Sequence, residues 1–164
     1  MNFNKHFVPT AKNLVERWKV VDAKGQHVGR LATKLVHMVK GKDEPFYTPH
    51  AKTGHRIIVI NADKVVFTGS KMEDKSYWKY TRYVGNKQTF TAKDLMQKDK
   101  TLVLQHAVKG MMQNSSLNRD LFENHILFYC GAEHPHKAQI KEASTDKTMK
   151  IFNKSQIQNK RAVA

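Results

Sequence analysis

Arg56-Ile-Ile-Val-Ile-Asn61 is a near-continuous apolar run. A strand with one wet face alternates polar and apolar residues, so a run without alternation suits a strand covered on both faces, as in a parallel sheet. Parallel strands need crossover connections, and strands alternating with helices supply them. The flanking sequence meets that demand. Trp18-Lys-Val-Val-Asp-Ala reads as a short buried strand, broken by Gly25. A helix is predicted from about Val28 to Lys40, with Gly41 placed to end it. Val28, Leu31, Ala32, Leu35, Met38 and Val39 form one broad apolar face on it. Val65-Val-Phe-Thr68 is another short strand, closed by Gly69.

Thr91 is a candidate N-cap for a helix beginning at Ala92, with Asp94 in its first turn. Thr101 to Met112 is predicted as a further helix, offering Leu102, Val103, Ala107 and Val108 to a core. Ser115 or Ser116 caps a short helix through Leu117, Leu121 and Phe122, and Ile126-Leu-Phe-Tyr-Cys130 is a last strand. The expectation is an α/β layered domain with a mostly parallel sheet. Residues 1–17 form an arm, readable as an organelle transit segment or as a basic arm that orders on RNA. The single cysteine, Cys130, excludes an intrachain disulfide, and no apolar run approaches the length of a membrane span.

Charge indicates the partner. The chain carries 29 Lys and Arg against 14 Asp and Glu, a formal +15. Such an excess opposes compaction unless the surroundings supply counter-charge, and nucleic acid is the commonest polyanion. The excess is concentrated in residues 1–82, with 16 basic and 7 acidic side chains, and in the tail from residue 131, with 7 and 3. Arg30, Lys34 and His37 fall on the helix face opposite the apolar one; this stripe is either a solvated surface or a phosphate-facing one. Lys71 to Tyr83 is basic and aromatic, too polar for a core strand, and is expected as a projecting loop or ribbon. Its cations suit phosphates and its Tyr and Trp suit bases or sugars. The competing reading puts one or two of these aromatics in the core, Trp78 first.

Catalytic and cofactor chemistry find no footing. The Asp22 to Arg30 turn joins a strand to a helix and carries two glycines, but it has neither a Gly-Lys-Ser/Thr ending nor a Gly-x-Gly-x-x-Gly pattern. A tight turn touching RNA phosphate is the better reading. His134-Pro-His136 with Cys130 and His125 has no standard zinc spacing. These histidines are expected in a loop that stacks on or hydrogen-bonds to RNA. His50 and His55 lack an identifiable nucleophile. No metal, no cofactor, no small-molecule substrate, no membrane and no enzymatic activity are expected. An RNA-modifying α/β enzyme is the rival reading.

Several motifs in order carry a resemblance: Trp18-Lys-Val-Val-Asp-Ala, Gly29-Arg-Leu-Ala-Thr, Tyr47-Thr-Pro-His50, Thr53-Gly54 and Val59-Ile-Asn-Ala-Asp-Lys-Val-Val-Phe-Thr-Gly69. They continue with Lys71, Lys75, Tyr77, Ala107-Val-Lys-Gly-Met111 and Gly131-Ala-Glu-His-Pro-His136. Over about residues 18 to 139 the chain resembles the universal large-subunit ribosomal protein thirteen family, of bacterial and organellar type. The resemblance implies a three-layer α/β/α domain with a four-stranded, mostly parallel sheet. Here that core (18–139) would sit between basic N- and C-terminal extensions (1–17 and 140–164). It implies a structural constituent of the large ribosomal subunit that binds large-subunit rRNA, supports assembly and meets neighbouring ribosomal proteins.

The expected RNA contacts are Lys24, His27, Gly29, Arg30 and Lys34 around the first helix, and Tyr47, His50 and Lys52 before the apolar run. Thr68, Gly69, Lys71, Lys75, Tyr77, Lys79, Tyr80 and Arg82 follow it. Lys109, Gly110, Met111, Arg119, His134 and His136 complete the set. Three features depart from the bacterial pattern. Met112-Gln113-Asn114 stands where Leu-Pro-Lys is usual, the turn Tyr83-Val-Gly85-Asn86 is reduced, and a basic tail is added. Such drift resembles a mitochondrial ribosome, giving the mitochondrial matrix as the expected compartment and the bacterial cytoplasm as the alternative.

Overall fold

The computed structural model describes residues 17–45, 47–52 and 55–140. The arm before Arg17, the extension after Ile140 and the Thr53-Gly54 motif lie outside the described residues. In chain order the elements are β1 (Arg17–Asp22), α1 (Val28–Val39), β2 (His55–Ile60), α2 (Lys71–Asp74), β3 (Ser76–Tyr80), β4 (Lys87–Thr91), α3 (Ala92–Lys98), α4 (Leu102–Met111), α5 (Ser116–His125) and β5 (Ile126–Phe128). No helix among the described residues is long and apolar enough to cross a membrane.

The apolar run is the central strand. β2 pairs in parallel with β1, Arg17 opposite His55 through Asp22 opposite Ile60, and on its other side with β5, Ile57 opposite Ile126. Ile57, Ile58 and Val59 are all fully buried. Successive strand side chains point to opposite faces, so both faces of β2 are covered. β1 is less buried than its sequence suggests, because it lies at the sheet edge; Val21 is sealed but Val20 is exposed.

α1 follows its apolar spacing: Val28, Leu31, Ala32, Leu35, Val36 and Val39 are buried. Gly41, with φ +68°, turns the chain out, and the Lys42 N–H returns to the His37 carbonyl at 3.0 Å. α4 lies against α1 and buries Val103, Leu104 and Val108. α3 opens with a complete capping box: the Asp94 N–H donates to the Thr91 hydroxyl, and the Thr91 N–H donates to the Asp94 carboxylate. Ser115 caps α5 through the Asn118 N–H.

Three strands pair in parallel among the described residues, where four were expected. Asn61 takes a left-handed conformation, a 3-10 turn follows over Ala62–Lys64, and the chain leaves the sheet. Val65–Thr68 then meets the β1–α1 turn through a single parallel bridge, His27 to Val66.

The aromatic-basic segment opens with the short helix α2, not with loop or ribbon, and becomes a ribbon from Ser76. β3 and β4 pair antiparallel, Tyr77 opposite Phe90 and Trp78 opposite Thr89. Tyr77 and Phe90 pack on the core, and burial pushes the Tyr77 hydroxyl pKa above its ordinary value. The core reading of Trp78 is corrected: it is 66% exposed, because strand alternation sends it to the face opposite Tyr77.

Candidate nucleic-acid interface

The first turn of α1 is placed by the Val66 bridge. The Val28 N–H donates to the Val66 carbonyl at 3.2 Å, and the Val66 N–H donates to the Gln26 carbonyl at 3.0 Å. Thr68 and Lys71 are thereby carried beside the helix start. α4 closes the other side, where the Thr33 hydroxyl meets the Met111 sulfur at 3.4 Å. The result is a groove of about 380 Å³ lined by His27, Val28, Gly29, Val66, Phe67, Thr68, Lys71, Lys75, His106, Ala107, Gly110 and Met111. Seven of the expected RNA contacts, from segments far apart in sequence, converge here.

The groove has the chemistry of an anion site. Its charged lining residues are Lys71 and Lys75, with no carboxylate among the lining residues. The Lys71 ammonium is steered by a 3.1 Å hydrogen bond to the Thr68 hydroxyl. The Lys75 ammonium stands 5.5 Å above the Tyr77 ring, which lies 5.8 Å from the His106 ring between centroids at a 38° tilt. A Cβ built on Gly29 or Gly110 meets no heavy atom within 4 Å, so internal packing does not require either glycine. Both leave bare backbone facing open space, where a sugar-phosphate chain can approach closely. The first turn of a helix also presents N–H donors and a partial positive charge.

Arg30, Lys34 and His37 line an adjacent shallow surface with Thr33, Met38 and Asp43. Thr33 and Met111 join it to the groove. Among the described residues, no ion pair engages Arg30, Lys34, Lys71 or Lys75.

A second grouping forms around the α4–α5 turn. Tyr47, Pro49 and His50 face Gln113, Ser115, Asn118 and Leu121 across one hollow. Lys109 and Arg119 line the neighbouring hollow, which shares Gln113, Ser115 and Asn118. The Lys109 ammonium also stands 6.0 Å over Phe122. Lys52 is committed internally: its ammonium pairs with Asp120 and fastens the Tyr47–Lys52 loop to α5. That hydrogen bond, with a second from Asn124, holds the Asp120 carboxyl below the ordinary carboxylate range.

Other expected contacts stand apart. Lys24 lies in the β1–α1 turn, its N–H bonded to Asp22 Oδ1 at 2.9 Å; Asn61 donates to the same oxygen at 3.0 Å. Lys79, Tyr80 and Arg82 are on the ribbon, and Gly69 is in the turn before α2. His136 stacks on Trp18 at 5.5 Å and 25° and shares a 2.9 Å hydrogen bond with the Tyr129 hydroxyl. His134 lies against the Tyr129 ring at 6.4 Å. Both histidines thus pack their own loop against Tyr129, just beyond β5, and His136 also against Trp18 of β1. Among the described residues no three His, Cys, Asp or Glu side chains gather as a metal site would need.

Sequence reading missed Phe67, Thr33 and His106 as lining residues. His106 carried a usable signal: it precedes Gly110 by four residues on a helix, hence shares its face.

A family model described as ribosomal protein L13 matches residues 16–135. A large ribosomal subunit protein uL13 from Acholeplasma laidlawii is 42% identical over 139 residues, covering 85% of this chain and 97% of the relative. The uL13 of a Cyanothece species is 41% identical over 146 residues, covering 89% and 97%. That of Xanthomonas campestris is 41% identical over 133 residues, covering 81% and 93%. With the family model spanning most of the chain and these relatives matched over nearly their whole length, the chain belongs to the ribosomal protein L13 family.

Proposed function

We propose that this chain is a structural constituent of the large ribosomal subunit, binding large-subunit rRNA and neighbouring ribosomal proteins and supporting subunit assembly. The family is non-enzymatic. The observation that carries the RNA reading is the convergence of His27, Gly29, Thr68, Lys71, Lys75, Gly110 and Met111 on one groove without a carboxylate. The mechanism is electrostatic and geometric. Cations on separate elements neutralise phosphates of separate RNA helices and lower the cost of bringing them together. Duplex RNA hides its base edges in a deep groove, so shape and phosphate contacts dominate where the RNA is paired.

The domain reading is a core over 18–139 with a basic arm at 1–17 and a basic extension at 140–164. A three-layer core is supported by the covered faces of β2. For the compartment, the relatives described above are all bacterial, which favours a bacterial-type ribosome. The mitochondrial expectation rests on the Met112–Asn114 and Tyr83–Asn86 departures, the tail and the transit-like arm at residues 1–17. Finding the chain in ribosomes from purified mitochondria would support the mitochondrial setting, and its absence there would remove it. The RNA reading is tested by competition binding. Large-subunit rRNA should displace labelled large-subunit rRNA from the purified chain far better than small-subunit rRNA; equal competition would contradict the assignment.

A further inference from the structure

We infer that the outer face of the β3–β4 ribbon is a stacking platform for unpaired RNA bases, distinct from the phosphate groove; this rests on the RNA-binding reading above. Tyr77 and Phe90 fill the inner face, so alternation leaves Trp78 and Tyr80 together on the outer one. They are 66% and 55% exposed, and Tyr83 at the ribbon tip is 76% exposed. Exposed large aromatics in one patch mark an interaction surface.

Charge selects the occupant. Segment 75–87 carries Lys75, Lys79, Arg82 and Lys87 and no acid. Lys87, opposite Tyr80, shares the outer face, whereas Lys75 stands over Tyr77 and Lys79 alternates to the Tyr77 side. The Lys87 ammonium stands 5.8 Å over the Trp78 ring. An exposed aromatic face with a cation held against it and no acid in its own segment matches a strand that offers flat bases and phosphates together. Residues two apart on a strand lie about 6.5–7 Å apart, which is close to two base-stacking steps of about 3.4 Å. Bases inside an A-form duplex are stacked on one another and out of reach, so the ligand is an unpaired segment such as a loop or bulge. The turn carrying Tyr83 is held by the Thr81 hydroxyl, which donates to the Asn86 carbonyl at 3.3 Å, and by the left-handed Arg82 and Gly85. It presents its tip without burying it.

The chain has two tryptophans, and Trp18 lies beneath His136 and Arg56. Trp18→Phe in the full-length chain therefore makes Trp78 the sole indole reporter. Its fluorescence is followed on adding a single-stranded oligouridylate and, separately, a blunt RNA duplex of equal length. Strong quenching by the single strand, with little by the duplex, is expected. Trp78→Ala and Tyr80→Ala, in a chain retaining Trp18, should each weaken binding to a hairpin with a large loop by about tenfold and leave duplex binding unchanged. These variants keep the test open if Trp18→Phe does not fold.

If both RNAs bind and neither quenches, or both quench equally, the platform is refuted while the phosphate groove stands. If neither RNA binds, the RNA-binding reading falls, and the platform with it. If the two alanine variants keep full hairpin affinity but lose a neighbouring protein from assembled subunits, the ribbon docks protein and the inference is overturned.

Discussion

Replacing Arg30, Lys34, Lys71 and Lys75 with Gln should weaken rRNA binding mainly by flattening its salt dependence. All four side chains are exposed, and among the described residues none is held in an ion pair. Each is therefore available to displace one counterion from a phosphate. At roughly 0.7–0.9 per contact, four lost contacts lower the slope of log K against log salt by about 3–3.6. Across a fourfold rise in salt the variant should thus lose about a hundredfold less affinity than the wild type. The fold should persist. Gln is nearly as good a helix former as Lys or Arg, and the buried face of α1 is untouched. Filter binding from low to moderate salt gives the slope, and thermal unfolding gives the control. A folded variant with the wild-type slope would refute the placement of phosphates on this surface.

Leu35→Ala removes a fully buried side chain from the α1 core face and should cost about 2–5 kcal/mol in urea unfolding, whereas Lys34→Gln beside it should cost almost nothing. Ser115→Ala deletes the cap of α5 and should cost about 1 kcal/mol; an unchanged urea midpoint would show that the cap contributes nothing. His55 is buried, and burial, with Lys19 and Arg17 nearby, lowers its pKa below 6.5 despite Glu44 Oε1 at 3.3 Å from its Nε2. Folding therefore favours neutral His55: its contribution is fully present above 6.5 and is lost as pH falls from there through the folded value. Urea midpoints taken from about pH 7 down to about pH 5 should fall less steeply for His55→Gln than for the wild type; parallel curves would count against this role.

The sequence was most legible where one interaction dominates. The unbroken apolar run at Ile57–Ile60 admits little besides a covered parallel strand. The spacing from Val28 to Val39, ended by Gly41, admits little besides a core helix. Thr91 and Asp94 specify their cap locally, and the structure has it. What depended on tertiary partners was harder to read. β4 went unrecognised although Gln88-Thr-Phe-Thr91 alternates, because its one inward residue, Phe90, is meaningful only opposite Tyr77. Trp78 reads as the stronger core candidate by size, yet register gives that position to Tyr77. Val65–Thr68 has strand composition, but the left-handed Asn61 and the turn after it direct it to the helix start instead. That diversion builds the groove, which no single motif foretells. His134 and His136 are expected from sequence in an RNA-contacting loop; their packing against Trp18 and Tyr129 depends on tertiary partners that no motif names.

The most direct test is sucrose-gradient sedimentation of a gently lysed native extract at low and moderate salt, with this chain followed by mass spectrometry across the fractions. A structural constituent held by many phosphate contacts and packed among rRNA helices should travel with the large subunit at both salt concentrations. Recovery only in light fractions would contradict a ribosomal role and return the rival reading of an RNA-modifying enzyme to consideration.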